Sequence, residues 1–125
     1  MAEHTYTDET PFESERSVGG KIVQLYVRDE PFICTGDGYL AHGELLTEFL
    51  NLHDLEYQVQ QMSRGAFPLA AGPAYRVAGM GAYMRFDNEV TLGSYSQDYN
   101  VSIDNDHIDR IRHQFPTLTF KRNNL

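Results

Sequence analysis

The sequence predicts an α+β fold in which helices cover a sheet, and three observations support this class. Runs of β-branched and aromatic residues indicate strands, two segments repeat apolar residues at helical spacing, and these elements follow one another in the order ββα(β)ββαβ. At 125 residues the chain is long enough for one such domain and too short for two. We therefore predict a single-domain helix-over-sheet sandwich, with a mixed sheet and two main helices.

The first half of the chain predicts two strands and a helix. "KIVQLYV" (21–27) and "PFICT" (31–35) are rich in β-branched and aromatic residues and are separated by a short charged segment. The pattern then changes, because apolar residues recur at helical spacing, at Leu45, Leu46, Phe49 and Leu50. This spacing predicts a helix from about residue 42 to 53.

The middle of the chain predicts a strand, a loop and a hairpin. "LEYQVQQM" (55–62) alternates like a strand, whereas "SRGAFPLAAGPA" (63–74) contains two prolines and several small residues, which is typical of an exposed loop. "YRVAGMGAYMRF" (75–86) and "EVTLGSYS" (89–96) are separated by Asp-Asn, which predicts a hairpin.

The last part of the chain predicts the second helix and a final strand. Ile108, Ile111 and Phe115 recur at helical spacing up to Pro116, and an acidic or amide side chain at 104–106 is suited to cap the first turn. "TLTFK" (117–121) then predicts a short strand.

Composition and charge limit the classes of function. The chain is 41% hydrophobic and 22% charged, which is typical of a soluble globular protein, and its net charge of −8 argues against binding to nucleic acid or to an anionic membrane. No apolar run approaches the roughly 20 residues that span a bilayer, and the start lacks the pattern of a signal peptide. We expect a cytoplasmic protein with a disordered acidic tail at 1–18 and one domain at 19–125.

The histidines, the cysteine and the glycines match no metal or nucleotide motif. The single Cys34 is predicted to be a buried thiol, and His107 and His113 are expected on the solvated side of the second helix. The "GDG" and "GMG" segments form neither a dinucleotide-binding motif nor a P-loop. We therefore expect no metal site and no cofactor.

His42 is the strongest candidate for chemistry, because in "YLAHGELLTEFL" (39–50) it stands where the first helix begins. The free backbone N–H groups of a first helical turn attract anions, and Gly43 would allow a phosphate to approach the backbone closely. A histidine there can act as a base or as a nucleophile toward phosphorus. The alternative is a polar residue that only precedes a core helix.

Four segments together resemble the small phosphohistidine phosphatase family, which includes the Janus and Ocnus proteins. They are "GKIVQLYV", "GYLAHGELL", "VTLGSYSQDYN" and "DNDHIDRIRHQFPTLTF", and the resemblance covers roughly residues 19–121. In that family a lysine begins the first strand, the catalytic histidine begins the first helix, and a Tyr-Ser-x-x-Tyr-Gly turn precedes the second helix. The matching positions here are Lys21, His42 and the segment 95–99.

The resemblance implies a metal-independent hydrolase that acts on a phosphorylated protein or a small phosphoramidate. It implies that His42 is catalytic, as nucleophile or general base. It implies that the phosphoryl group is bound by the backbone amides of Gly43 and Glu44, by the Ser96 hydroxyl and by Lys21, with Tyr95 and Arg76 as further candidates. Arg76 and Arg85 are alternatives for an arginine of the family. His42→Ala is then expected to abolish activity with little change in stability.

Three departures from the family pattern favour an alternative function. Ala82 occupies the position that aligns directly with the family arginine, while Asp98 and Asp104 add negative charge where a phosphate site prefers neutral or positive groups. The alternative is a non-catalytic binding or inhibitory protein that uses the same cleft for an anionic or peptide partner. A third interpretation is an interaction protein that pairs through a free strand edge at 31–35 or 117–121.

Overall fold

A computed structural model describes residues 18–36 and 39–122 of the chain. The predicted acidic tail at 1–18 lies outside these residues except for Val18, where the first strand already begins. The described elements are, in chain order, β1 (Val18–Val27), β2 (Glu30–Gly36), α1 (His42–Leu52), β3 (Val59–Met62), β4 (Gly65–Pro68), β5 (Tyr75–Phe86), β6 (Glu89–Gly93), β7 (Tyr95–Ser96), β8 (Val101–Ser102), α2 (Asn105–Ile111), a 3-10 turn (Arg112–Gln114) and β9 (Thr119–Arg122).

The main sheet has the strand order β2-β1-β5-β6-β9. Its neighbours pair antiparallel except for β6 and β9, which pair parallel, so the predicted mixed sheet is confirmed. The predicted hairpin of β5 and β6 is also confirmed. Among the described strands, β2 and β9 are the outermost, which are the two segments that the sequence marked as possible edges.

The two helices pack on opposite faces of this sheet. Successive strand residues point to opposite faces, and the neighbours Ile22 and Val23 accordingly belong to different apolar clusters. The cluster of Val23 includes the apolar residues of α1, and the cluster of Ile22 includes those of α2. We call these two sides the α1 face and the α2 face. Cys34 is buried on the α1 face, as predicted.

The second helix differs from its prediction at His107. Asp104 caps α2 as predicted, because its side chain accepts a hydrogen bond of 2.8 Å from the His107 amide. The His107 side chain, however, is fully buried against the sheet, where Nε2 lies 3.0 Å from the Leu25 carbonyl oxygen and Nδ1 lies 3.4 Å from the Gln24 amide nitrogen. The prediction of a surface residue was wrong for His107, whereas His113 is exposed.

The segment predicted as an exposed loop at 63–74 contains a strand, β4, which follows a two-residue turn. β3 and β4 form a two-stranded antiparallel hairpin whose turn is Ser63-Arg64, and β4 contacts α1. The side chain of Phe67, in β4, fills the space beside Gly43 at the start of the helix. The hairpin is therefore held close to the N-terminus of α1.

A β-bulge interrupts the pairing of β1 with β5. Gln24 pairs with Gly79 but Leu25 pairs with Val77, so Ala78 is an extra residue in β5. One extra residue reverses the alternation of side chains along the strand. The β5 residues before Ala78 therefore point to the face opposite to the one that they would have in a regular strand.

The two α-helices contain 11 and 7 residues. None of those formed by the described residues is long and apolar enough to span a bilayer.

Candidate functional site

His42 is the first residue of α1, and its side chain is hydrogen-bonded to β5 in the main sheet. Its Nε2 lies 2.7 Å from the carbonyl oxygen of Gly81 in β5. A carbonyl oxygen can only accept, so Nε2 carries the proton and Nδ1 keeps a free electron pair. A Cβ on residue 81 would overlap with the Gly93 carbonyl oxygen and with the Ile103 side chain, so glycine allows this close packing.

The environment of His42 favours its neutral form. The residue is only 8% exposed, and this burial is the main reason why its pKa lies below the usual value of 6.5. The hydrogen bond to Gly81 and the charge of Asp98 raise the pKa, while the charges of Lys21 and Arg64 lower it further. The imidazole is therefore available as a base or nucleophile at neutral pH.

Lys21 lies beside His42, as the sequence predicted. It alternates with Val23 along β1, so both side chains are on the α1 face, and its charge acts on His42. Partial burial and the neighbouring Arg64 lower the pKa of Lys21, whereas the charges of Glu44 and Asp98 raise it. Lys21 supplies a positive charge next to the imidazole.

The sequence did not identify Arg64 as a site residue. It lies in the turn of the β3–β4 hairpin, close enough for its charge to lower the pKa of both His42 and Lys21. Its neighbour Ser63 donates a hydrogen bond to the carboxylate of Asp98, which links the hairpin to the turn after β7. The signal in the sequence was the Ser-Arg-Gly turn after the alternating segment 55–62, since it continues into a second strand.

Gly43 has a different role from the one predicted. The side chain of Phe67 fills the space that a side chain on residue 43 would need. A Cβ there would overlap with the Cβ, Cγ and Cδ2 atoms of Phe67. Among the described residues, the Gly43 amide has no hydrogen-bond acceptor. The glycine thus allows the hairpin to pack on the first turn of the helix.

Glu44 stabilises the start of α1, and its amide is already hydrogen-bonded within the helix. Its carboxylate accepts a hydrogen bond of 2.7 Å from the Ala41 amide, and its own amide donates to the Ala41 carbonyl oxygen at 3.0 Å. These two bonds stabilise the first turn of α1. The expected contact between the Glu44 amide and a phosphoryl oxygen is therefore replaced by a contact within the helix.

The serine turn lies near the site, and the Ser96 hydroxyl takes part in the turn as a hydrogen-bond acceptor. Ser96 is 1% exposed, and its Oγ accepts a hydrogen bond of 3.3 Å from the Tyr99 amide. The Tyr99 hydroxyl in turn donates to the Pro68 carbonyl oxygen at 2.8 Å, so the turn is tied to the end of β4. Tyr95 is 55% exposed, and within the described residues no hydrogen bond joins it to His42. Of this turn, Asp98 acts most directly on the site.

The structure does not bring Arg76 or Arg85 to His42. Arg76 pairs with Tyr26, five residues along β1 from Lys21, and the bulge at Ala78 places it on the α2 face. Arg85 pairs with Val90, whose side chain belongs to the cluster on the α2 face. Asp104 also lies on that face, as the cap of α2. Arg64 is the arginine near His42 that the structure supplies.

Comparison of the chain with protein-family models, with curated proteins and with solved structures finds no match. The resemblance to the phosphohistidine phosphatases therefore stays a prediction, based on the order of its four segments.

Acidic, histidine and cysteine side chains are the usual protein ligands of metal ions. Within residues 18–36 and 39–122, no three of them are grouped in a way that would hold an ion.

The charges around His42 nearly balance. Lys21 and Arg64 are positive, Glu44 and Asp98 are negative, and the imidazole between them is neutral. Such a site can accept a dianionic phosphoryl group only if the two cations approach it more closely than the two carboxylates do. Glu44 is committed to the helix and Asp98 to Ser63, whereas Lys21 and Arg64 make no ion pair within the described residues. The cations are the groups left for a ligand.

Proposed function

We propose that the chain is a metal-independent hydrolase of phosphoramidate bonds, in the manner of a phosphohistidine phosphatase, and that it acts in the cytoplasm. The observation that carries the proposal is the state of His42. The Gly81 carbonyl fixes its proton on Nε2, and burial and two cations hold its pKa low. A neutral imidazole with one committed nitrogen is what nucleophilic attack on phosphorus requires.

The reaction proceeds by two displacements. The Nδ1 of His42 forms a bond to phosphorus while the phosphorus–nitrogen bond of the substrate breaks, and the departing nitrogen leaves with a proton from solvent. Water then attacks the phosphorylated His42, the new phosphorus–nitrogen bond breaks, and inorganic phosphate is released with the imidazole restored to its starting state. Lys21 and Arg64 stabilise the charge on the phosphoryl oxygens in both steps.

The substrate class follows from the leaving group. A phosphoramidate leaves as a nitrogen base, which needs less help from a general acid than the alkoxide of a phosphoserine. The carboxylates near His42 are those of Glu44, which accepts from the Ala41 amide, and Asp98, which accepts from Ser63, so neither is placed as a proton donor, and this suits phosphohistidine or a small phosphoramidate.

The test is release of phosphate from a phosphohistidine-bearing protein and from phosphoramidate, without added metal. Wild type is compared with His42→Gln, which keeps an N–H donor for the Gly81 carbonyl but removes the nucleophilic nitrogen. Arg112→Gln is a matched control, because Arg112 pairs with the exposed Asp109 away from the site. Turnover by wild type and Arg112→Gln but not by His42→Gln is the expected result. Equal phosphate release by all three proteins, or by none of them, contradicts the proposal.

A second function is favoured by the two carboxylates near the site. Glu44 and Asp98 offset the cations, and the Ser96 hydroxyl is buried and accepts a hydrogen bond within its own turn. A non-catalytic protein that binds a phosphorylated or peptide partner at this cleft has the same residues but no turnover. Saturable binding of phosphoramidate, weakened in Lys21→Gln and unaccompanied by phosphate release, would select this alternative.

A further inference from the structure

A second cleft lies at the other end of β1. It has a volume of about 340 Å³ and separates the β1–β2 turn at Arg28-Asp29 from the segment 71–74 that precedes β5. The amide of Arg28 donates to the carbonyl oxygen of Ala74 at 3.1 Å, so the two walls are joined at the base. Arg28 and Asp29 have positive φ values of 50° and 70°, which a two-residue hairpin turn of this type requires.

Three arginines converge at this cleft. Arg28 and Arg76 line it, and the guanidinium groups of Arg76 and Arg110 lie 4.3 Å and 4.9 Å from the ring centre of Tyr26. Tyr26 is only 5% exposed, so the two guanidinium groups rest on a nearly buried ring. Arg110 is also fixed by a hydrogen bond of 3.0 Å to the Asp29 carbonyl oxygen. Stacking of this kind orients a guanidinium and leaves its N–H edge for a ligand.

None of these arginines forms an ion pair within the described residues. Another cleft, of about 290 Å³, is different, because its cationic side chains contact acidic or amide side chains. There Arg112 pairs with Asp109, Lys121 pairs with Glu89, and Arg122 donates to the Asn105 side chain. In a chain with a net charge of −8, three neighbouring arginines that have no acidic partner among residues 18–36 and 39–122 favour the binding of an anion.

We propose that this arginine cleft, formed by Arg28, Arg76 and Arg110 around Tyr26, binds a phosphate group. The fork of an arginine matches two phosphate oxygens, and the cleft is lined by two arginines, Arg28 and Arg76, against one carboxylate, that of Asp29, while Arg110 packs on the same Tyr26 ring. His107 packs against Tyr26, where its Nδ1 accepts from the Gln24 amide nitrogen and its Nε2 donates to the Leu25 carbonyl oxygen, so the ring is neutral and adds no charge. The ligand is free phosphate or the phosphate of a phosphorylated protein.

This cleft is separate from the site of His42. Lys21 and Tyr26 are five residues apart on β1, which is roughly 17 Å at the rise of a strand, and they point to opposite faces. Binding at the cleft thus survives substitution of His42 whether or not the chain is a hydrolase.

The experiment is a titration of the ¹⁵N-labelled full chain with inorganic phosphate at constant ionic strength, followed by amide chemical shifts. Saturable shifts are expected at Arg28, Gly72 and Ala74 in wild type and in His42→Gln. Arg28→Gln and Arg76→Gln should each weaken binding by about tenfold or more, since each removes a charge-assisted pair. Arg122→Gln, at the cleft with engaged cations, is the matched control and should bind as wild type does.

A phosphoserine peptide distinguishes the two sources of phosphate. Tighter binding of the peptide than of phosphate, with the same loss in Arg76→Gln, assigns the cleft to a phosphorylated protein, and equal binding assigns it to the free ion. The proposal is overturned if millimolar phosphate gives no saturable shifts at the cleft, or if the double variant of Arg28 and Arg76 binds like wild type. Unchanged shifts elsewhere in the spectra show that the variants are folded.

Discussion

The ring of Phe67 occupies the space that a side chain on residue 43 would need. This places the β3–β4 hairpin on the first turn of α1 and brings Arg64 to the site. The overlap involves the Cβ of Phe67 as well as its ring, so a change of rotamer alone does not relieve it. The position of the hairpin thus depends on the absence of a side chain at residue 43.

Gly43→Ala is expected to destabilise the fold by about 1 to 3 kcal/mol, as overpacking in a filled site does. Alanine is the better helix former by about 1 kcal/mol, but that gain is smaller than the cost of moving the hairpin. Urea unfolding of a double-mutant cycle measures this, because Gly43→Ala should cost much less in the Phe67→Ala background. An equal cost in both backgrounds would show that Phe67 does not restrict residue 43.

His42→Ala is expected to lower the free energy of unfolding by roughly 2 to 4 kcal/mol, since it leaves the buried Gly81 carbonyl unpaired and opens a cavity. This replaces the expectation from the sequence that the substitution leaves stability unchanged. His42→Gln should cost clearly less, because its amide still donates to that carbonyl. Denaturant titration of both variants decides the matter, and equal losses would mean that the hydrogen bond to Gly81 contributes little.

Local patterns in the sequence were sufficient for most elements. Runs of β-branched and aromatic residues predicted β1 and β2, the Asp-Asn turn predicted the β5–β6 hairpin, and helical spacing predicted α1 and α2 with Asp104 as a cap. These features depend on residues close together in the chain. The positions of His42 at the start of α1 and of Lys21 on β1 followed from the same local information.

Contacts between distant segments were not predictable in this way. His107 reads as a polar residue among Asp106, Asp109 and Arg112, yet it is buried because Gln24, 83 residues away, and the Leu25 carbonyl satisfy its ring. Arg76 is on the wrong face for the site because of one extra residue at Ala78, and the adjacent Gly79 was the only local sign of that bulge. A bulge and a buried polar pair are set by tertiary packing, which a single sequence does not display.

The stability of the protein should fall as the pH drops below about 6.5. Burial lowers the pKa of both His42 and His107, so the unfolded chain takes up their protons first, near 6.5. Their contribution to stability is therefore complete above that pH and is lost as the pH falls toward the lower folded values. The slope is at most about 1.4 kcal/mol per pH unit for each histidine.

Urea unfolding between pH 7.5 and 5, above the range in which carboxylates dominate, measures this slope. His42→Gln should reduce the slope, whereas the exposed His113→Gln should leave it unchanged. A wild-type slope of zero over this range would show that neither buried histidine resists protonation.

Arg64 and Asp98 should shift the pKa of His42 in opposite directions. Arg64 lowers that pKa and Asp98 raises it, so Arg64→Gln is expected to raise it and Asp98→Asn to lower it. NMR titration of the His42 ring measures both shifts, with Arg112→Gln as the control for loss of an arginine elsewhere. Because Arg64 is exposed, its effect should weaken as salt is added. Under the proposed hydrolase function, Arg64→Gln should also reduce turnover by about tenfold, since one cation on the phosphoryl oxygens is lost. Shifts of the same sign in both variants would mean that the hairpin moves as a whole and that direct charge interaction is not the cause.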